Sequence, residues 1–215
     1  GAGGGAGAGG GAAVGGAWEG DGGGRLAVDG DGGTGDGDQI VAILGLHLGV
    51  DLVAVTTRTN LGFHRLMEEH SVRVITTDVG DRYVLEALYR EGGILGGEQS
   101  GHVICLRDHV TGDGLAAALL LCEALRGRAL SEVAGAMERY PQAKQNLPRP
   151  GRGPLPQTLL DRIEEVNGEL DSDGRVLVRP SGTEPVVRVL AEAQTEEAAV
   201  ALCARIASLV TQELG

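Results

Sequence analysis

The sequence predicts an α/β protein: a mixed, largely parallel sheet domain covered by helices, followed by a smaller α+β C-terminal domain. Three observations carry this. Between Asp51 and Arg90, β-branched runs alternate with segments of helical spacing, the rhythm of strands joined by covering helices. The stretch Pro148 to Pro156 (PRPGRGPLP) holds four prolines and two glycines in nine residues, which suits a linker and no regular element. Beyond it the order helix, strand, loop, strand, helix fits a small α+β unit.

Residues 1–39 form a Gly/Ala-rich tract with few side chains to bury. Such a segment does not offset the entropy lost on ordering, so its first two dozen residues are expected to lack structure of their own. The first aliphatic cluster starts at Ile40, and 40–147 is read as the larger domain. Within it Asp51 to Thr57 and Val72 to Thr77 are strands, while Leu61 to His70 and Asp81 to Arg90 are helices, the latter with Val84, Leu85 and Leu88 on one face. A glycine-rich loop, GGEQSG, leads into a strand, HVICL. After TGDG at 111–114, a helix runs to Leu125 with Leu115, Leu119, Cys122 and Leu125 as its apolar face, and a second helix starts with Ser131 as its N-cap. Residues 148–156 are the linker. In 157–215, a helix from Thr158 to Leu170 precedes strands Arg175 to Arg179 and Val186 to Ala191, joined by PSGTEP. A final helix carries Ala199, Leu202, Cys203, Ile206, Leu209, Val210 and Leu214 at helical spacing.

Composition narrows the function classes. With 42% hydrophobic residues, the chain of 215 has enough apolar content for a core. A formal net charge of -12 argues against nucleic-acid and anionic-membrane partners, which are bound through dense Lys/Arg patches. An acidic protein that handles an anion must instead gather its arginines locally. The three cysteines, Cys105, Cys122 and Cys203, show no CxxC spacing and read as reduced, structural thiols. No apolar stretch of membrane-spanning length and no signal-peptide pattern is found, so a soluble, cytoplasmic protein is expected.

Four loops could carry chemistry. The first, Arg179-Pro180-Ser181-Gly182-Thr183-Glu184-Pro185 with Arg188 beyond it, joins two strands. Hydroxyls, backbone N–H groups and guanidinium forks converging on one loop suit a phosphate, although a plain hairpin turn whose Ser and Thr satisfy their own backbone explains the same residues. In the second, Gly96 to His102, the carboxylate of Glu98 and the hydroxyl of Ser100 could bind vicinal sugar hydroxyls; a solvated turn with His102 at the start of a strand is the alternative. The third, VGDRYV at 79–84, opens a helix, with Asp81 as a cap or first-turn carboxylate and Arg82 as a surface charge. The fourth is the acidic series Glu19, Asp21, Asp29, Asp31, Asp36 and Asp38, whose oxygens suit Mg²⁺ or Ca²⁺ but whose spacing also fits an acidic linker.

Taken in chain order, VGDRYV, GGEQSGHVICL, TGDG and RPSGTEPVVRV resemble the α-D-phosphohexomutase family over about 150 residues. The resemblance implies isomerisation of a hexose phosphate by phosphoryl transfer through a phosphoserine and a sugar bisphosphate, in a four-domain enzyme. Residues 40–147 resemble its third domain and 157–215 its fourth, while 1–39 resemble the end of the second. The first domain, which carries the phosphoserine, has no counterpart, so the chain alone is expected to be inactive. Glu98 and Ser100 would hold the sugar hydroxyls with His102 beside them, and Arg179, Ser181, Gly182, Thr183 and Arg188 the phosphate not being transferred. The family binds Mg²⁺ through a D-G-D-x-D-R loop. Aligned on LAVD, that loop falls on WEGDGGG, which leaves Glu19 and Asp21 as metal ligands and places Gly23 where a third carboxylate belongs. Gln99 resembles the amino-sugar branch, implying interconversion of glucosamine 6-phosphate and glucosamine 1-phosphate and so a hexosamine phosphate as the small-molecule partner. A glucose or mannose phosphate mutase, a non-catalytic hexose-phosphate-binding fragment and a remnant without ligand stay open as alternatives, as does a homodimer.

Overall fold

The computed structural model describes residues 15–18, 25–28, 34–107, 114–149, 153–171 and 173–214. Clustering of contacts divides the chain into two units, Gly1–Glu138 and Arg139–Gly215.

The first unit opens with three short strands, β1 (Gly15–Trp18), β2 (Arg25–Val28) and β3 (Thr34–Gly35), paired antiparallel in that order. Strand β1 differs from the expectation that the first two dozen residues lack structure of their own; ladder hydrogen bonds use backbone groups alone and need no side chains. Helix α1 (Gly37–Leu48) follows, capped by Asp36, whose side chain accepts the Gln39 N–H while the Gln39 side chain accepts the Asp36 N–H.

Next come β4 (Leu52–Thr56), α2 (Leu61–Glu69), β5 (Arg73–Thr77), α3 (Asp81–Glu91), β6 (Leu95–Gly97) and β7 (Val103–Cys105). The sheet order is β5-β4-β6-β7, parallel except for β7, so the mixed, largely parallel sheet matches the expectation. All of β4 is buried, as a strand covered on both faces requires. Val53 and Val55 point into one core with residues of α1 and α2 such as Leu44, Phe63 and Met67, while Leu52 and Ala54 meet Val84, Ala87 and Leu88 of α3 on the other side. Because β5 lies on one flank of β4 and β6 on the other, the loops that leave β4 and β6 diverge at their carboxyl ends. Open α/β sheets take their ligands in that crevice.

Helices α4 (Gly114–Leu125) and α5 (Leu130–Ala134) complete the unit. Two expectations fail here. The buried residues of α4 include Ala117, Leu121, Ala124 and Leu125, whereas Leu119 and Cys122 are exposed; an almost wholly apolar helix offers no pattern from which to pick the inner face. Helix α5 starts at Leu130 with Ala129 as its N-cap and no side-chain cap bond, so Ser131 lies inside it.

The second unit holds β8 (Gln142–Pro148), α6 (Gln157–Leu170), β9 (Gly174–Pro180), β10 (Val186–Ala193) and α7 (Glu196–Leu214). The sheet is antiparallel, ordered β8-β10-β9, and Val176, Val187, Val189 and Ala191 pack with Leu159, Ile163, Cys203, Ile206 and Val210 of the two helices. Placing the boundary at 148–156 is therefore corrected. Residues 142–148 pair with β10 and belong to the second unit. As an edge strand with mostly polar, half-exposed residues (QAKQNLP), β8 lacks the apolar alternation that marks a strand.

Candidate functional site

In the first unit the candidate residues collect at the carboxyl ends of the parallel strands. Loop 98–102 is closed by the Glu98 N–H donating to His102 O (2.9 Å) and the Gly101 N–H donating to Glu98 O (2.9 Å). This turn carries three functional groups. The Ser100 hydroxyl lies 3.1 Å from His102 Nδ1, and Glu98 Oε2 lies 3.8 Å from the same nitrogen. Glu98, Ser100 and His102 are thus brought together as the sequence reading placed them.

Two neighbouring segments fix this loop. The Gly80 N–H, at the start of α3, donates to Glu98 Oε1 (3.0 Å), which satisfies one of the amides that a helix N-terminus leaves unpaired. Gly80 has φ +138°, a conformation that L side chains rarely adopt. On the other side the Gly37 N–H, in the first turn of α1, donates to Gln99 O (3.1 Å), and the next residue, Asp38, accepts from Gln99 Nε2 (3.4 Å) through Oδ2. The same oxygen accepts the Asn60 N–H (2.9 Å) from the loop after β4. At 1% exposure, Asp38 is a buried carboxylate that needs such donors. The sequence alone points to no role for Gly80, and for Asp38 only to a metal ligand or an acidic linker. The signal available was D-x-x-Q before an aliphatic run, which marks the start of a helix.

In the second unit the β9–β10 loop brings together Arg179, Ser181, Gly182, Thr183 and Arg188. Arg179 and Arg188 are directly paired across the ladder, with Asn146 of β8 opposite Arg188 on its other side, so the three side chains share one face of the sheet. Ser181 donates its N–H to Val186 O (2.9 Å), and its hydroxyl accepts the Glu184 N–H (3.2 Å). The hydroxyl thus does part of what a plain turn asks of it. Arg188 Nη2 donates to Glu184 Oε2 (2.8 Å), whereas Arg188 Nε is buried with no hydrogen-bond partner among the described residues. A Cβ on Gly182 would meet nothing within 4 Å, so the loop is open at that point.

The acidic series falls differently. Glu19 and Asp21 lie outside the described residues, as do Asp29 and Asp31. Asp36 caps α1 and Asp38 serves the loop contacts above. Among the described residues no group of three or more His, Cys, Asp or Glu comes together as a metal site, and no helix is long and apolar enough to cross a membrane.

Comparison with known proteins identifies the family. A sequence model of phosphoglucomutase/phosphomannomutase alpha/beta/alpha domain III matches residues 36–140, and one of the C-terminal domain of the same proteins matches 124–209. The chain belongs to the phosphoglucomutase/phosphomannomutase family, that is, to the phosphohexomutases. Among similar curated proteins are the phosphoglucosamine mutases of Geobacillus kaustophilus (45% identity over 93% of this chain and 46% of that protein), Bacillus subtilis (43%; 93% and 47%) and Streptomyces griseus (46%; 93% and 46%). The chain spans about half the length of the curated relatives it matches. Among solved structures, the N-acetylphosphoglucosamine mutase of Aspergillus fumigatus, in complex with GlcNAc-6P and magnesium, superposes with a TM-score of 0.73 at 19% identity, over 86% of this chain and 49% of that one. At that identity the likeness speaks for the fold.

Proposed function

We propose that this chain supplies the sugar grip and the phosphate grip of an isomerase that interconverts glucosamine 6-phosphate and glucosamine 1-phosphate. The observation that carries the phosphate half is the opposed pair Arg179 and Arg188. Like charges placed directly opposite on neighbouring strands repel, and an anion held between them turns that cost into two charge-assisted hydrogen-bond sets. The loop that follows adds the hydroxyl of Thr183, the open position at Gly182 and, once Glu184 yields, the whole Arg188 guanidinium. Glu98, Ser100 and His102 supply an acceptor, a hydroxyl and a ring nitrogen within one turn, a set suited to sugar hydroxyls.

In the reaction a phosphoserine gives its phosphoryl group to the free sugar hydroxyl, the bisphosphate turns over, and the other phosphoryl group returns to serine. The residues of this chain hold the sugar and the phosphate at rest, so their contribution is positioning and charge neutralisation. The amino-sugar substrate is supported by relatives named phosphoglucosamine mutase at 42–46% identity. Mg²⁺, which Glu19 and Asp21 would help to hold and which would supply positive charge to offset that of a phosphoryl group, and a cytoplasmic location belong to the same proposal, as does a homodimer.

Titrating the chain with glucosamine 6-phosphate, glucose 6-phosphate and mannose 6-phosphate tests the reading. The hexosamine phosphate is expected to bind tightest. A preference for either hexose phosphate without an amino group moves the protein to a glucose or mannose phosphate mutase, and no binding of any of the three contradicts the proposal.

A further inference from the structure

The strongest relationship outside the sugar and phosphate groups themselves is the docking of the first turn of α1 against loop 98–101. It is close to the limit of contact. A Cβ built on Gly37 would lie 1.9 Å from Glu98 O and 2.7 Å from the Gly101 nitrogen, and both atoms are backbone, so neither can turn aside. The contact is also bonded at successive residues, by the Gly37 N–H to Gln99 O (3.1 Å) and by Gln99 Nε2 to Asp38 Oδ2 (3.4 Å). The same carboxylate reaches a third segment through the Asn60 N–H (2.9 Å).

We infer that Asp38 is a positioning residue for hexose-phosphate binding: from the first turn of α1 it ties Gln99 to Asn60 and so sets where Glu98 and Ser100 stand. This rests on the reading of loop 98–102 as the sugar grip. Gln99 has its side-chain amide turned back to Asp38, so a glutamine between Glu98 and Ser100 acts on the sugar through the conformation of the loop. The Gln99 side-chain amide and the Asn60 backbone amide both donate to the buried carboxylate of Asp38, and a buried carboxylate requires such donors.

The test compares the affinity of the full chain for glucosamine 6-phosphate and for inorganic phosphate, the latter reporting on the β9–β10 loop alone. Wild type is set against Glu98→Gln, Asp38→Ala, Asp38→Asn and Gln99→Met, with thermal melting of each. Asp38→Ala and Gln99→Met are expected to weaken glucosamine 6-phosphate binding by roughly tenfold, the worth of one hydrogen bond to a charged group, and to leave inorganic phosphate within about twofold. Asp38→Asn, which keeps an acceptor, is expected to recover part of the loss. If Glu98→Gln weakens sugar-phosphate binding while Asp38→Ala and Gln99→Met do not, the positioning role is overturned and the sugar grip stands. If Glu98→Gln is also without effect, the sugar grip itself is wrong. Equal loss of both ligands in Asp38→Ala, with wild-type binding in Gln99→Met, likewise overturns the inference, because the aspartate then serves only the fold.

Discussion

Arg179 and Arg188 face each other directly across the β9–β10 ladder, and the charge of Arg188 is met by Glu184 at 2.8 Å. That ion pair is exposed on the Glu184 side, so it contributes at most about 1 kcal/mol to stability. Arg188→Met is therefore expected to leave urea unfolding of the ligand-free chain nearly unchanged. Inorganic phosphate binding should fall roughly tenfold to a hundredfold, the range for lost hydrogen bonds to a charged group. Calorimetric titration and a denaturation curve on the same variant separate the two effects.

A different arginine does structural work. Arg175 donates through Nε to Glu192 Oε2 (2.7 Å), and Gln142 Nε2 donates to Glu192 Oε1 (2.8 Å), a row across β9, β10 and β8. Glu192 is 0% exposed. Removing the guanidinium takes a charge-assisted hydrogen bond from a buried carboxylate, so Arg175→Ala is expected to destabilise the chain by about 1.5–3 kcal/mol, measured by urea unfolding.

Gly37→Ala pits two effects against each other. Alanine favours a helix over glycine by about 1 kcal/mol, but here its Cβ would meet Glu98 O at 1.9 Å, and overpacking costs about 1–3 kcal/mol. Net destabilisation is expected, with sugar-phosphate binding weakened as well because the displaced atoms belong to the loop proposed to hold the sugar. Denaturation and titration of the variant give both readings.

The thiols divide by burial. Cys122 is exposed while Cys105 and Cys203 are buried, so a thiol reagent is expected to label one cysteine rapidly and the others only on unfolding. Burial pushes the Cys203 thiol up from its ordinary value, because desolvation penalises the thiolate. The sign follows from the raised folded value. This contribution to stability is complete below the ordinary thiol range and is lost as pH rises through the folded pKa. The decline is expected to be smaller in Cys203→Ala, by denaturation at alkaline pH.

Glu91 shifts the other way. Hydrogen bonds from Arg90 and then Arg73 hold its carboxyl below the usual carboxylate range. Its contribution is present above that range and disappears as pH falls through the lowered value. Acid unfolding of Glu91→Gln is expected to show a shallower pH dependence than wild type, and a smaller effect in high salt, since the group is exposed.

What the sequence makes legible depends on how strongly each residue is constrained by its neighbours in the chain. The alternation from Asp51 to Arg90 survives because strands and helices there have one preferred face or are buried whole. The two loops proposed to bind ligand are legible because glycine, serine and arginine cluster where a turn alone does not require all of them. Edge strand β8 escapes notice because exposure removes the apolar pattern, and the inner face of α4 because nearly every position is apolar. The role proposed for Asp38 is invisible from sequence for another reason. Its partners Asn60 and Gln99 are brought to it only by the fold, and an aspartate in a glycine-rich acidic stretch reads equally as a metal ligand or part of a linker.

Titration calorimetry of the full chain with glucosamine 6-phosphate, comparing wild type with Arg179→Ala combined with Ser181→Ala, tests most directly whether this protein grips a hexosamine phosphate through the β9–β10 loop. The account predicts saturable binding that the double substitution abolishes. Binding left unchanged in the double variant would contradict it.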